Sequence, residues 1–308
     1  MQKKIGFWCL LLLVTVLSSC EKEVNIDLSQ KDKLLVIEGT IESGQQPYVY
    51  LTNSIGFFDK IDLNSVSYIS NAIVTVEDLN TGQAITLKEY SIDTTVGINT
   101  FSFRIYGPDV SDPIAFNFKG QVDHSYKLMI SADGKTYESV TKIPTGNGLD
   151  SLWTEKVPSR DSFRILRGLY NDPDSFGNSV KVQTLVNKVR KTGGPEFFQT
   201  AFNSVYNDDI INGARFPVTI DIGYDKTKDY SQEEFQTLGF LEKGDTVTVK
   251  WSAIDKKVFT FWQTLSFSQG SIGNPFASPT KIQSNIPGAL GVWAGYNARL
   301  YTIVDTIK

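Results

Sequence analysis

From Leu34 onward the chain is divided into short runs in which apolar and polar residues alternate, and this alternation constrains its fold more than any other feature. Successive side chains of a strand point to opposite faces, so such runs suit sheets with one buried and one wetted face. Before Pro144 the runs are LLVIEGTI (34–41), PYVYLTNS (47–54), AIVTVEDL (72–79), AITLKEY (84–90), TFSFRI (100–105), YKLMISA (126–132) and TYESVTKI (136–143). Asn80-Thr81-Gly82 and Ala132-Asp133-Gly134 lie between consecutive runs as hairpin turns do. The expectation for 34–144 is an immunoglobulin-like β-sandwich, with Tyr126 placed at the head of its run like a tyrosine corner. His124, the one histidine of the chain, falls in the turn before that run, where a surface role is expected. Pro144-Thr145-Gly146-Asn147-Gly148 interrupts the pattern and marks a domain boundary.

Residues 145–308 read as a second, less regular β-rich domain with one packed helix near 253–269. SLWTEKV (151–157), SFRILRGLY (162–170), SVKVQTLVNK (179–188), RFPVTIDIGY (215–224), DTVTVKWSA (245–253) and ARLYTIVD (298–305) have strand character. Val258, Trp262 and Leu265 follow helical spacing, Ser252 and Asp255 are spaced as a capping box, and Gly270 is placed to end the helix. Over 195–206 the pattern fits a helix or a strand, and Pro195 at a first helical position favours the helix. The fold class is therefore mainly β. A transmembrane barrel would need even runs of about ten residues, and these are shorter and unequal.

The first 33 residues carry an address. Lys3 and Lys4 precede an apolar segment, 5–17, too short to span a bilayer, and Leu17-Ser18-Ser19-Cys20 closes it as the lipobox of a bacterial lipoprotein does. Residues 1–19 read as a signal peptide, Cys20 as the acylated residue, and 20–33 as a lipidated tether to the membrane. With Cys20 acylated and Cys9 removed, no thiol is left for a disulfide. Glu21, Lys22 and Glu23 resemble the surface-export signal of Bacteroidota lipoproteins, which would turn the protein toward the cell exterior; a plain solvated tether is the alternative. Loss of Lys3 and Lys4 from 30 basic residues leaves 28 against 34 acidic ones, a formal net charge of −6. No basic cluster exceeds Lys188, Arg190 and Lys191, so nucleic acid is not an expected partner.

Chemistry is sparse. There is no Gly-x-Ser-x-Gly elbow, no phosphate loop and no dinucleotide fingerprint, and one histidine without thiols cannot build an ordinary zinc site. No catalytic residue, cofactor or metal is expected. Asp172-Pro173-Asp174 and Asn207-Asp208-Asp209 offer oxygen ligands to calcium, but lack the spacing of a calcium loop and sit where turns are expected. Phe57 and Phe58, flanked by Gly56 and Asp59, are either buried or a contact patch.

Gly273-Asn274-Pro275-Phe276, Ser284-Asn285-Ile286 and Gly291-Val292-Trp293-Ala294-Gly295-Tyr296 form an ordered set. With Lys243-Gly244-Asp245-Thr246-Val247-Thr248-Val249 and the segments Cys20–Asp27 and Leu35–Gly39, the set resembles the domain of unknown function 4249 family of Bacteroidota outer-membrane lipoproteins. The resemblance implies an outer-membrane protein often encoded beside TonB-dependent receptors, and it transfers no catalytic residues. The Gly and Pro content of 273–296 suits an ordered loop crossing the end of a sheet, with Trp293 and Tyr296 either closing the core or lining a site. Three functions stand open: a non-enzymatic binding or accessory subunit of a TonB-dependent transporter, a structural subunit of an outer-membrane assembly or secretion complex, and a carboxylate-dependent hydrolase.

Overall fold

The computed structural model describes residues 33–54, 67–96, 99–187, 198–201, 203–225, 229–270 and 280–305. Cys20, Glu21, Lys22, Glu23, Phe57, Phe58 and Gly273-Asn274-Pro275-Phe276 lie outside the described residues. The alternating runs before Pro144 become β1 (Leu35–Glu42), β2 (Tyr48–Asn53), β3 (Ile73–Asp78), β4 (Ala84–Val96) and β5 (Asn99–Pro108). A short helix α1 (Pro113–Asn117) then leads to β6 (Ser125–Ala132) and β7 (Lys135–Lys142). Alternation sets their faces: β6 buries Tyr126, Leu128, Ile130 and Ala132, and β3 buries Val74, Val76 and Asp78. Between β6 and β7, Ala132 pairs with Lys135 across Asp133 (φ 49°) and Gly134 (φ 73°). Two left-handed residues make the tight hairpin turn whose twist matches the strands. The Tyr126 hydroxyl accepts from the Gln121 N–H at 2.7 Å, five residues upstream, as a tyrosine corner does.

The remaining strands are β8 (Leu149–Val157), β9 (Arg160–Asn171), β10 (Ser179–Asn187), β11 (Val205–Asn207) and β12 (Arg215–Ile220). After the one-turn helix α2 (Gln232–Phe235) come β13 (Leu241–Glu242), β14 (Thr246–Ile254), helix α3 (Lys256–Gly270) and β15 (Leu290–Val304). Three expectations change. Asp255 alone caps α3, its Oδ1 accepting from the Val258 N–H at 2.9 Å, whereas Ser252 is buried in β14. Within 195–206 the described residues hold no helix, because Gln199 exchanges main-chain hydrogen bonds with Thr184 at 2.8 and 2.9 Å and Val205–Asn207 joins the sheet. Residues 290–296 are strand rather than loop, because pairing with β1 overrides the low strand preference of Gly291 and Gly295.

The strands form two sheets. The larger runs β11-β10-β14-β15-β1-β2-β5-β4-β3-β6-β7, and the smaller runs β12-β9-β13 with β8 also on β9. β15 joins the halves of the larger sheet. Its first part lies parallel to β1, from Val36 opposite Leu290 to Glu42 opposite Tyr296. Its second part lies antiparallel to β14, from Ala253 opposite Asn297 to Thr246 opposite Val304. Strands from both sides of Pro144 thus share one sheet, and 34–308 make one compact unit. The β1–β7 path curls until β7 meets β15, where the Gly295 N–H donates to Thr141 Oγ1 at 2.9 Å. The result is sandwich-like.

β15 separates two cores. Trp293 enters the core of β1–β7, fully buried among residues such as Ile37, Val49, Tyr126 and Leu128. Val292, Ala294 and Tyr296 face the other way and meet Val258, Phe259 and Phe261 of α3. Gly39, opposite Trp293 in the ladder, leaves space for the indole: a Cβ there would stand 2.7 Å from its Cε3. Under α3, Lys181 is buried with its Nζ 3.0 Å from the centroid of the Trp262 ring, a cation–π contact that fastens helix to sheet. A third core fills the space between β9, β12 and the β10–β14 end of the larger sheet. A buried ion pair, Arg164 to Asp305 at 3.2 Å, secures the far end of that region, with Thr154 donating to the same carboxylate at 2.8 Å.

Candidate functional site

The third core is not filled to its edge. Where β9 and β12 of the smaller sheet face β10, β11 and β14 of the larger one, a cavity of about 260 Å³ opens. Its walls are mainly apolar and aromatic: Tyr170 from β9, Val180 from β10, Tyr206 from β11, Phe216 and Val218 from β12, and Trp251 from β14. Each strand contributes these residues from its inward face, following the two-residue period, so stacking the sheets assembles the pocket. Tyr170 and Trp251 are 6% and 2% exposed, their rings 5.0 Å apart and tilted by 48°. Phe216 meets Tyr170 edge-on at 6.1 Å. The Trp251 Nε1–H is buried and has no acceptor among the described residues.

Two carboxylates stand at the rim, and both come from the acidic turns singled out in the sequence. Asp208 is buried; its Oδ1 accepts from the Gly177 N–H at 3.1 Å, and its Oδ2 from the Asn178 N–H at 3.0 Å and the Asn178 side chain at 3.2 Å. Asp172, equally buried, accepts from the Gly213 N–H at 3.1 Å. These bonds cross-brace the 172–178 and 207–214 loops that frame the mouth. Burial raises the Tyr170 hydroxyl pKa well above the ordinary value, and the charges of Asp172 and Asp208 push the same way. Asp174 and Asp209 are exposed; the Asp174 carbonyl accepts from the Asn212 side chain, and Asp209 accepts from Asn207. The acidic pairs therefore act as turn braces, and among the described residues no group of three His, Cys, Asp or Glu is arranged to hold a metal ion. Beside the mouth Ile210 is 95% exposed and Phe176 79%.

His124 is not among the residues lining this cavity. It bonds through Nδ1 to Asp78 at 2.8 Å and stacks on Tyr126, so the single histidine braces the tyrosine corner. Trp293 and Tyr296 close cores rather than lining a site. A second concavity of about 470 Å³, bordered by Glu42, Tyr48, Phe198 and Lys250, is crossed by the Glu42–Lys250 ion pair. The aromatic residues of the cavity, Tyr170, Phe216 and Trp251, were missed by sequence reasoning, because inward-facing aromatics of a strand look the same whether they fill a core or line a gap. The available signal was the unbroken Asp208-Asp209-Ile210-Ile211, an apolar pair placed at a turn.

Among the described residues no helix is long and apolar enough to cross a membrane. In comparison with known proteins, 143 residues are 27% identical to metabotropic glutamate receptor-like protein P of Dictyostelium discoideum, covering 44% of this chain and 10% of that protein. So short a share of the relative transfers no activity. The profile of the family described as Domain of unknown function (DUF4249) matches residues 21–301, from just after Cys20 to within β15 and through both sheets. The chain belongs to that family.

Proposed function

We propose that this protein is a surface-exposed lipoprotein of a Bacteroidota outer membrane, anchored through acylated Cys20, and that it serves as a non-enzymatic binding or accessory subunit of a TonB-dependent transporter. The observation that favours binding over hydrolysis is the engagement of the two cavity carboxylates. A hydrolytic pair needs one carboxyl that holds a proton and an opposing one that is free to act as base or nucleophile. Asp172 and Asp208 instead accept main-chain N–H groups of the loops they brace, so both are engaged in holding the rim of an aromatic cavity.

The address rests on Lys3, Lys4 and the Leu17-Ser18-Ser19-Cys20 box, and the outward orientation on Glu21, Lys22 and Glu23. The tether from Glu21 to Lys33 reaches only about 20 Å as a flexible coil, which keeps the body beside neighbouring barrels at high effective concentration. The exposed Ile210 and Phe176 also suit a structural subunit of an outer-membrane assembly complex, since exposed apolar groups at one edge favour contact with another protein. A tagged chain recovered from membranes in mild detergent tests both readings by mass spectrometry. A TonB-dependent receptor enriched over an unrelated surface lipoprotein is the expected result, with loss of enrichment in Cys20→Ala. Enrichment of a secretion or assembly barrel favours the second reading, and recovery of the lipoprotein alone overturns both.

A further inference from the structure

We propose that the cavity between the two sheets binds a small bicyclic aromatic molecule, uncharged or positively charged and about the size of indole. This rests on the reading of the chain as a binding protein and is independent of which barrel it accompanies. Size is the first argument. A dry apolar cavity of about 150 Å³ accommodates benzene, so the 260 Å³ here has room for about ten ring atoms at the same packing. The walls supply the second. Tyr170 and Trp251 are tilted at 48° and Phe216 stands edge-on to Tyr170, an arrangement that offers an entering ring both faces and edges. Aromatic rings prefer these offset and perpendicular contacts to flat sandwiches.

Charge is the third argument. Asp172 and Asp208 are the charged residues of the lining among the described residues, and no described Lys or Arg accompanies them there. Their hydrogen bonds to Gly213, Gly177 and Asn178 fix them in place, so they cannot withdraw from an entering anion. At about 4 Å, like charges near a protein surface repel strongly enough to weaken an anion's binding at least tenfold. A cation gains from the same groups and from the ring faces. Ile210, almost wholly exposed at the mouth, adds an apolar surface over which such a molecule would enter.

The test uses the mature chain from residue 20 with Cys20→Ala, in detergent-free buffer, with ¹⁵N-labelled tryptophan. The Trp251 indole N–H resonance is identified by its loss in Trp251→Phe. Indole and tryptamine should shift that resonance with Kd values of about 1 mM or tighter, as expected for ligands of about ten heavy atoms. Indole-3-acetate should bind at least tenfold more weakly. Val218→Trp, which fills the cavity from β12, should remove the shift. Should that variant fail to fold, intermolecular NOEs in the chain with Val218 intact decide instead, and they should connect bound indole to the Val180 and Val218 methyl groups. An unmoved Trp251 resonance, equal affinity for all three compounds, unchanged binding by a folded Val218→Trp, or NOEs only to other methyl groups would each overturn the proposal. Barrel recovery without a ligand shift removes this proposal and leaves the transporter reading in place; a ligand shift without a barrel does the opposite.

Discussion

Two tryptophans on adjacent strands have opposite fates. Trp293 on β15 is fully enclosed; its Nε1–H donates to the Tyr126 carbonyl at 2.9 Å, and its main-chain N–H and carbonyl are both bound by the Asn285 side chain at 2.9 and 2.7 Å. Trp251 on β14 is just as hidden from water, yet its Nε1–H has no acceptor among the described residues and one side of its ring borders a cavity. Side-chain burial alone does not distinguish a sealed core from a binding wall. What separates them is completeness: the indole N–H and the main-chain groups of Trp293 are all bonded, whereas Trp251 keeps a donor unused among the described residues and borders unfilled space. Complete packing favours one rigid arrangement, and the incomplete end of the molecule is where a ligand has something to add.

The contrast is sharpest in truncation. Trp293→Ala should lower stability by about 3–5 kcal/mol, and Trp251→Ala should fall at the low end of that range or beneath it, because its ring already lacks neighbours on the cavity side. Urea unfolding of the two variants measures the difference, and equal losses would erase the distinction between the two regions. Gly39→Ala is expected to cost about 1–3 kcal/mol by the same measurement, since its new Cβ, 2.7 Å from Trp293 Cε3, displaces a ring with nowhere to go. A wild-type midpoint for Gly39→Ala would mean that the Trp293 side has slack after all.

The smallest effect is in pH. Burial raises the Asp78 pKa, but the His124 hydrogen bond and those from Asn80 and Thr81 more than reverse this, leaving the carboxyl below its ordinary value of 3.8. A group depressed in the folded state contributes stability that is present above its unfolded pKa and disappears as pH falls through the folded one. Acid unfolding followed below pH 4 should therefore show a stability loss on the Trp293 side that is reduced in Asp78→Asn. Identical acid profiles for the two chains would remove Asp78 from the account.

Much of the first region was legible in sequence because its determinants are local. Alternation in 126–132 and 72–79 gave the strands and their buried faces, Asp133-Gly134 gave the turn, and Tyr126 gave the corner. The second region was less legible because its determinants are distant in sequence. Tyr170, Asp208 and Trp251 become neighbours only when the smaller sheet stacks on the larger one, and no local pattern encodes that stacking. β15 was read too short for a related reason. Gly291 and Gly295 look like loop residues, but a Cβ at either would strike main-chain oxygen, 1.9 Å from Ile37 O and 2.4 Å from Lys142 O respectively. They are glycines so that neighbouring backbones can approach, which only the assembled structure reveals.

The parallel pairing of β1 with β15 also has a temporal consequence. A ribosome making this chain delivers β1 through β7 long before residue 293, and until then the first core lacks the indole that closes it and the strand that covers its edge. Contacts this far apart in sequence form late, because closing so long a loop costs entropy before any contact compensates for it. The emerging polypeptide would thus remain open through most of its synthesis. That delay would suit the proposed lipoprotein, which would pass through a membrane unfolded and gather its two ends only on the far side.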